Sequence, residues 1–216
     1  MSRRLALVMS LWLGSVAVPI VAAVQTDVGL EAIDDALALI RSGSAEEHAR
    51  FNAPYRVIIG KEPLDYLEVM TPFRRIVLTG AARMAVGDRS FGQRQAIELL
   101  ATDGERLDIY AELTLHPLNT YIGVPPYALT LAGTSGARVM PLETVRLSRW
   151  TPRREGPAPV PPFNALSPPG GAPLLGATII GRFDLKDVAP SGTYAVVMEL
   201  EGTEEGRGTV ALRGMR

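Results

Sequence analysis

The spacing of apolar residues changes near residue 105, and this change is the strongest constraint on the fold of the chain. Between Leu107 and His116, apolar and polar residues alternate at every position. Successive side chains of a strand point to opposite faces, so this pattern predicts a strand with one face on a core and one in solvent. The residues predicted to face the core are Leu107, Ile109, Ala111, Leu113 and Leu115, and those predicted to face solvent are Asp108, Tyr110, Glu112, Thr114 and His116.

Most of the chain beyond this strand also has the composition of strands. Five further segments, separated by turn-rich connections, are 127–131, 144–150, 177–185, 193–200 and 208–212. Six strands joined in this way predict an antiparallel β-sandwich over residues 105–216. Residues 151–173 contain eight of the 17 prolines, and we expect an extended loop there because proline cannot donate to a strand ladder.

Residues Val188–Tyr194, with the sequence VAPSGTY, resemble the tyrosine corner of immunoglobulin-like and fibronectin-like sandwiches. In that motif a tyrosine follows a turn at the start of a strand, and its phenol bonds back to the upstream backbone. The resemblance covers seven residues. It implies that the predicted sandwich is immunoglobulin-like.

Helical spacing dominates residues 24–104. Thr71 can cap a helix that has Pro72 in its first turn, and an apolar stripe at helical spacing predicts a helix over 72–86. The stripe consists of Phe73, Ile76, Val77, Gly80 and Met84. Glycine weakens a helix, so we expect Gly80 to lie in close contact with another element. Further helices are predicted within 26–51 and over 90–100, and short strands over 55–60 and 66–70, which makes the whole chain α+β with its helices before the sandwich.

Residues 1–23 have the pattern of a signal peptide. A basic start with Arg3 and Arg4 precedes an apolar run, and the small residues Val21 and Ala23 before Val24 fit a cleavage site. The segment is also about 20 residues long, which would suffice for an uncleaved membrane anchor. The cleavage-like end favours removal, and we therefore expect a periplasmic or secreted protein without a stable membrane span.

Composition excludes several classes of partner and cofactor. The chain has no cysteine, which rules out disulfides and lipid attachment through an N-terminal cysteine. Residues 24–216 carry 20 basic and 23 acidic side chains, and this balance argues against nucleic acid or an anionic membrane as a partner. The two histidines lie far apart and no calcium-binding or phosphate-binding loop is present, so no metal site and no cofactor are expected.

His116 is the first candidate for a functional residue. Glu112 lies four residues away, about 13 Å along a strand, so it cannot orient the imidazole through a hydrogen bond. Pro117 ends strand pairing directly afterwards, and we expect a structural or solvated role for His116. The alternative is a hydrolase in which His116 acts as the base with partners from elsewhere in the chain, although no G-x-S-x-G motif supports it.

The loop Asn119–Tyr127 is the most distinctive connection in the chain. It combines Tyr121 and Tyr127 with two apolar side chains and a Pro-Pro pair. Such a loop can bind a partner with little loss of entropy, or it can simply cover the open end of the core. Sequence leaves both interpretations open.

Arg74 and Arg75 form a second candidate, at the start of the helix capped by Thr71. Together with the helix dipole they could bind an anion. The alternative is that both side chains face solvent beside Phe73 and Ile76.

These observations predict an exported, non-catalytic protein with a binding or assembly role, and a protein partner, in the cell envelope. The candidate binding residues are His116, Asn119, Tyr121, Tyr127, Arg74 and Arg75, and no catalytic residue is assigned. The alternatives are a hydrolase with His116 as base and a sugar or lipid binder with a pocket between helices and sandwich.

Overall fold

The computed structural model describes residues 24, 28–42, 44–103, 106–151 and 173–216. The predicted signal peptide and nearly all of the predicted proline-rich loop lie outside the described residues. Within the described part of the chain, no helix combines the length and the apolar character that crossing a membrane requires.

The described residues form four helices and two antiparallel sheets, which confirms the α+β class. In chain order the helices are α1 (Leu30–Ser42), α2 (Ala45–Asn52), α3 (Pro72–Ala85) and α4 (Gln93–Asp103). The strands are β1 (Arg56–Lys61), β2 (Leu64–Met70), β3 (Arg106–Thr114), β4 (Ala128–Gly133), β5 (Arg138–Val139), β6 (Glu143–Arg149), β7 (Gly176–Asp184), β8 (Thr193–Leu200) and β9 (Thr203–Ala211). The predicted helices and strands are therefore present with shifted ends, and the short strand β5 was not predicted.

The two sheets share one apolar core. The larger sheet has the order β1-β2-β3-β7-β6, and the smaller has the order β5-β4-β8-β9. The alternating residues Leu107, Ile109, Ala111 and Leu113 are buried in this core together with apolar side chains of β4, β8 and β9. The larger sheet takes β1 and β2 from the region before residue 105, so it extends beyond the predicted limit of the sandwich.

A second core lies between α1, α3 and α4. Thr71 caps α3 by accepting a hydrogen bond from the Arg74 backbone N–H at 3.2 Å, as its position before Pro72 predicts. A Cβ on Gly80 would overlap Ile40 of α1 and lie 2.8 Å from Phe91. The expected close contact at Gly80 is thus confirmed, because only a residue without a side chain lets α3 approach α1 this closely.

The outer face of β3 does not face solvent, so the prediction for Asp108, Tyr110 and Glu112 was wrong. All three side chains are buried. On this face Tyr110 packs with Met70 of β2 and Ile180 of β7. Leu78 of α3 packs against these three side chains and covers part of the face. Alternation places residues on two faces of a strand correctly, but it does not reveal that both faces are covered.

The contact expected at the tyrosine corner is present. Ala189 donates its backbone N–H to the phenol oxygen of Tyr194 at 2.6 Å. This bond closes the turn that leads into β8. It is a local feature and does not by itself assign the sheets to a fold family.

Candidate binding loop at one end of the sandwich

Arg74 and Arg75 lie inside the protein, so their predicted alternative position in solvent was wrong. Arg74 is 1% exposed; it pairs with Glu68 and donates to the Val69 carbonyl at 2.6 Å. Arg75 pairs with Asp108 of β3 at 2.9 Å. Both guanidinium groups hold α3 on the larger sheet, and an external anion would have to displace these carboxylates.

Burial changes the proton affinity of the groups on this face. It raises the pKa of Asp108, against the attraction of Arg75, Arg106 and Arg182. It also raises the pKa of Tyr110 to about 12, and the negative charge of Asp108 adds to this effect. Within the described residues, Asp108 Oδ1 and the Nε atoms of Arg106 and Arg182 are buried without a hydrogen-bond partner.

A third charged group lies where β3 and β6 end and β7 begins. Arg149 of β6 donates to Glu112 Oε1 at 3.1 Å and to the Leu113 carbonyl at 2.8 Å, and Thr178 donates to Glu112 Oε2 at 2.7 Å. A Cβ on Gly176 would overlap the Arg149 guanidinium and the Leu113 carbonyl. Glycine is therefore required at this position, and the resulting contacts fix the strand ends from which the next loop departs.

The connection from β3 to β4, residues 115–127, crosses from the larger sheet to the smaller one. We call it the binding loop. Both of its ends are anchored: Leu115 is buried and donates its N–H to the Leu175 carbonyl at 3.1 Å, and Tyr127 is buried in the core between the sheets. The loop therefore leaves and rejoins a rigid framework.

Asn119 organises the interior of the binding loop. Its Nδ2 donates to the carbonyls of His116 at 2.6 Å and Leu174 at 2.8 Å, and its Oδ1 accepts from the Tyr121 N–H at 3.0 Å. One side chain thus links two parts of the loop to Leu174, two residues before β7. Asparagine is suited to this role because its amide both donates and accepts.

His116 has a structural hydrogen bond and an exposed position. Its Nδ1 accepts from the Leu118 backbone N–H at 3.2 Å. No carboxylate or hydroxyl in the described part of the chain is hydrogen-bonded to this imidazole. A general base needs such a partner or a positioned substrate, so this arrangement gives the hydrolase alternative no support.

The middle of the binding loop presents apolar side chains to solvent. Leu118 is 84% exposed, Tyr121 42% and Ile122 99%. Single exposed apolar residues are ordinary, but these three lie within five residues of a loop that is fixed at both ends. Exposed apolar side chains on a rigid segment are the elements from which binding surfaces are built.

Acidic residues lie on two sides of this end of the molecule, and on the β6 side Arg146 donates to the Tyr127 carbonyl at 2.9 Å. Burial raises the pKa of Tyr127, and electrostatic interactions with Tyr121 and Glu205 raise it further. The register of β4 and β8 sets Ala128 opposite Glu199, so the acidic connection between β8 and β9 lies beside Tyr127. Thr114 donates to Asp65 at 2.7 Å on the other side.

The predicted site residues fall into two groups. His116, Asn119, Tyr121 and Tyr127 belong to the binding loop. Arg74 and Arg75 lie near Asp108, which is six residues and about 20 Å from Thr114 along β3. They share no site with the loop. Within the described residues, no group of three or more acidic or histidine side chains is arranged to hold a metal ion.

Sequence reasoning did not select two exposed apolar residues of the loop, Leu118 and Ile122, and it missed the acid partners of the arginines. Leu118 was not selected, although its position between Pro117 and Asn119 after a strand end is typical of an exposed turn. Glu68, Asp108 and Glu112 were assigned no partner, although Asp108 and Glu112 lie on the same face of one predicted strand and Glu68 lies on another.

Comparison with known proteins gives no further information about the site, because no protein-family model, curated protein sequence or solved structure matches the chain.

Proposed function

We propose that the protein is a non-catalytic binding protein of the cell envelope and that the binding loop is its contact surface. The observation that carries this proposal is the exposure of Leu118, Tyr121 and Ile122 on a loop whose ends are buried and whose interior is fixed by Asn119. A partner protein that covers these side chains removes apolar surface from water.

Two exposed side chains of the loop would contribute to the stability of such a contact. Burying the side chains of Leu118 and Ile122 contributes about 3–6 kcal/mol in total, before the cost of association is subtracted. A loop that is already ordered loses little conformational entropy on binding, so this part of the cost of association is small. The same residues would serve no purpose as a cover of the core, since Tyr127 already fills that position.

Export belongs to the same proposal. Its support is the signal-like pattern of residues 1–23 and the position of Val24, the first residue after the predicted cleavage site. Val24 is buried among core residues and donates its N–H to the Pro190 carbonyl at 3.0 Å. An immunoglobulin-like sandwich is likewise part of the proposal, supported by the bond between Ala189 and Tyr194.

Photocrosslinking in cells tests the proposal. A photoreactive amino acid replaces either Leu118 or Ile122 in the full chain produced in its native host, and a control variant carries it at Val86. Val86 is a matched control because it is also apolar and exposed, and it lies at the C-terminal end of α3. We expect discrete crosslinked protein species from positions 118 and 122 and none from position 86.

Two outcomes would contradict the proposal. One is the absence of any specific crosslink at positions 118 and 122. The other is turnover in an unbiased hydrolase screen that a His116→Ala variant abolishes while remaining folded. Cleavage between Ala23 and Val24 is checked separately by mass spectrometry of the exported chain.

A further inference from the structure

We infer that the partner of the binding loop is a polypeptide segment in which apolar side chains are flanked by lysine or arginine. This inference rests on the proposed function and specifies the chemistry of the partner. It follows from the charges of the two hairpins that lie beside the loop.

Two hairpin turns lie at the same end of the molecule as the binding loop. The turn between β1 and β2 is joined to the end of β3, because Thr114 donates its N–H to the Pro63 carbonyl at 3.0 Å. The turn between β8 and β9 is adjacent to the start of β4 through the pairing of Ala128 with Glu199. A Cβ on Gly206 would lie 3.1 Å from Leu64, so the two hairpins also contact each other.

These hairpins are strongly acidic. Residues 61–65 and 199–207 contain six carboxylates, which are Glu62, Asp65, Glu199, Glu201, Glu204 and Glu205, against two cationic side chains, Lys61 and Arg207. Arg207 pairs with Glu204 at 2.6 Å, and Arg138 pairs with Glu199 at 3.0 Å. Within the described residues, Glu62, Glu201 and Glu205 form no ion pair.

Acidic hairpins beside an apolar loop select among possible partners. They repel the phosphates of anionic lipids and nucleic acids. They attract lysine and arginine, and such charges act mainly on the association rate and on specificity. A basic and apolar polypeptide therefore complements both parts of this surface.

Selection from a library of random twelve-residue peptides on phage tests the inference. The target is the exported full chain, and the best peptides are then synthesised and titrated against it. We expect peptides that combine aromatic or aliphatic residues with lysine or arginine, and binding that weakens as salt concentration rises. The Ile122→Asp variant should weaken binding at least about tenfold.

A charge-reversal pair provides the matched control. The double variant Glu201→Lys, Glu205→Lys should weaken peptide binding about fivefold or more at low salt and reduce its salt dependence. The double variant Glu46→Lys, Glu98→Lys makes the same change in net charge at exposed positions on α2 and α4, and should leave binding within about twofold. Circular dichroism and urea unfolding verify that each variant folds.

The outcomes separate the inference from the proposed function. Peptides that require Ile122 but show no basic preference, or that bind equally well to the Glu201 and Glu205 variant, overturn the inference and leave the proposed function standing. Peptides that bind regardless of Ile122 contradict both. Binding to vesicles of phosphatidylglycerol and phosphatidylcholine that depends on Ile122, without peptide binding, overturns the inference in favour of a membrane surface.

Discussion

The outer face of the larger sheet and the binding loop reverse the usual distribution of side chains in opposite ways. Under α3, charged groups are buried: Glu68 with Arg74, and Asp108 with Arg75. In the binding loop, Leu118 and Ile122 are exposed. Each of these buried charges forms an ion pair with an opposite charge of the same chain, whereas no described residue covers Leu118 or Ile122. The paired charges stabilise the fold, whereas the exposed apolar side chains are the observation on which the proposed contact surface rests.

The largest effect is expected from breaking the buried pair at Arg74. Of the two described arginines that pair with the buried Glu68 carboxylate, Arg74→Met removes one and leaves only Arg56, at 3.0 Å, at a cost of about 3 kcal/mol in the free energy of unfolding. Urea denaturation measures this loss. The exposed pair of Arg50 and Glu46 is the control, and Arg50→Ala should cost no more than about 0.5 kcal/mol. Equal costs for the two variants would remove the distinction between buried and exposed charge in this protein.

The second effect concerns pH and Tyr110. Its pKa in the folded protein is about 12, so the folded state keeps the phenol proton while the unfolded state releases it near pH 10. The contribution of Tyr110 to the free energy of unfolding is constant below about pH 10, and it falls by about 3 kcal/mol as the pH rises to 12. Urea unfolding of the wild type and Tyr110→Phe across this pH range should show that the difference between them changes by this amount. A constant difference would mean that Tyr110 is not shielded by its surroundings.

A smaller effect is expected from releasing the binding loop. Asn119→Ala removes the bonds to the His116 and Leu174 carbonyls, in a partly exposed position, and should cost about 1 kcal/mol. Amide hydrogen exchange at Tyr121 should accelerate at the same time, because its N–H loses its acceptor. Unchanged exchange would show that Asn119 does not order the loop.

The smallest effect on stability is expected from the exposed apolar residues themselves. Leu118→Ser and Ile122→Asp should change the free energy of unfolding by no more than about 0.5 kcal/mol, because both side chains already face water. Their effect should appear in binding, through loss of the affinity for the selected peptides. A loss of more than about 2 kcal/mol in stability would identify these residues as part of the core instead.

Local patterns predicted most elements of this fold. The cap at Thr71, the proline after it and the apolar stripe predicted α3 to within one residue at its end. The alternation from Leu107 predicted β3 and its core face. Both are short-range signals, since a helix and a strand present neighbours in sequence at fixed angles.

The partners of these elements were outside the reach of sequence. Nothing near Asp108 in the chain shows that Arg75, 33 residues earlier, forms an ion pair with it. For the same reason, the sequence did not decide whether the binding loop binds a partner or covers the core. In the structure Tyr127 is buried in the core, whereas Leu118 and Ile122 are exposed.

The sequence by itself determined the order of helices and strands, the absence of disulfides, and the apolar content of the binding loop. Each of these depends on residue type or on neighbours a few positions away. Only the tertiary structure decided which charges are buried together and which apolar side chains stay in water. Those outcomes depend on what packs over each surface, and in this chain the covering element α3 lies far in sequence from the strand that it covers.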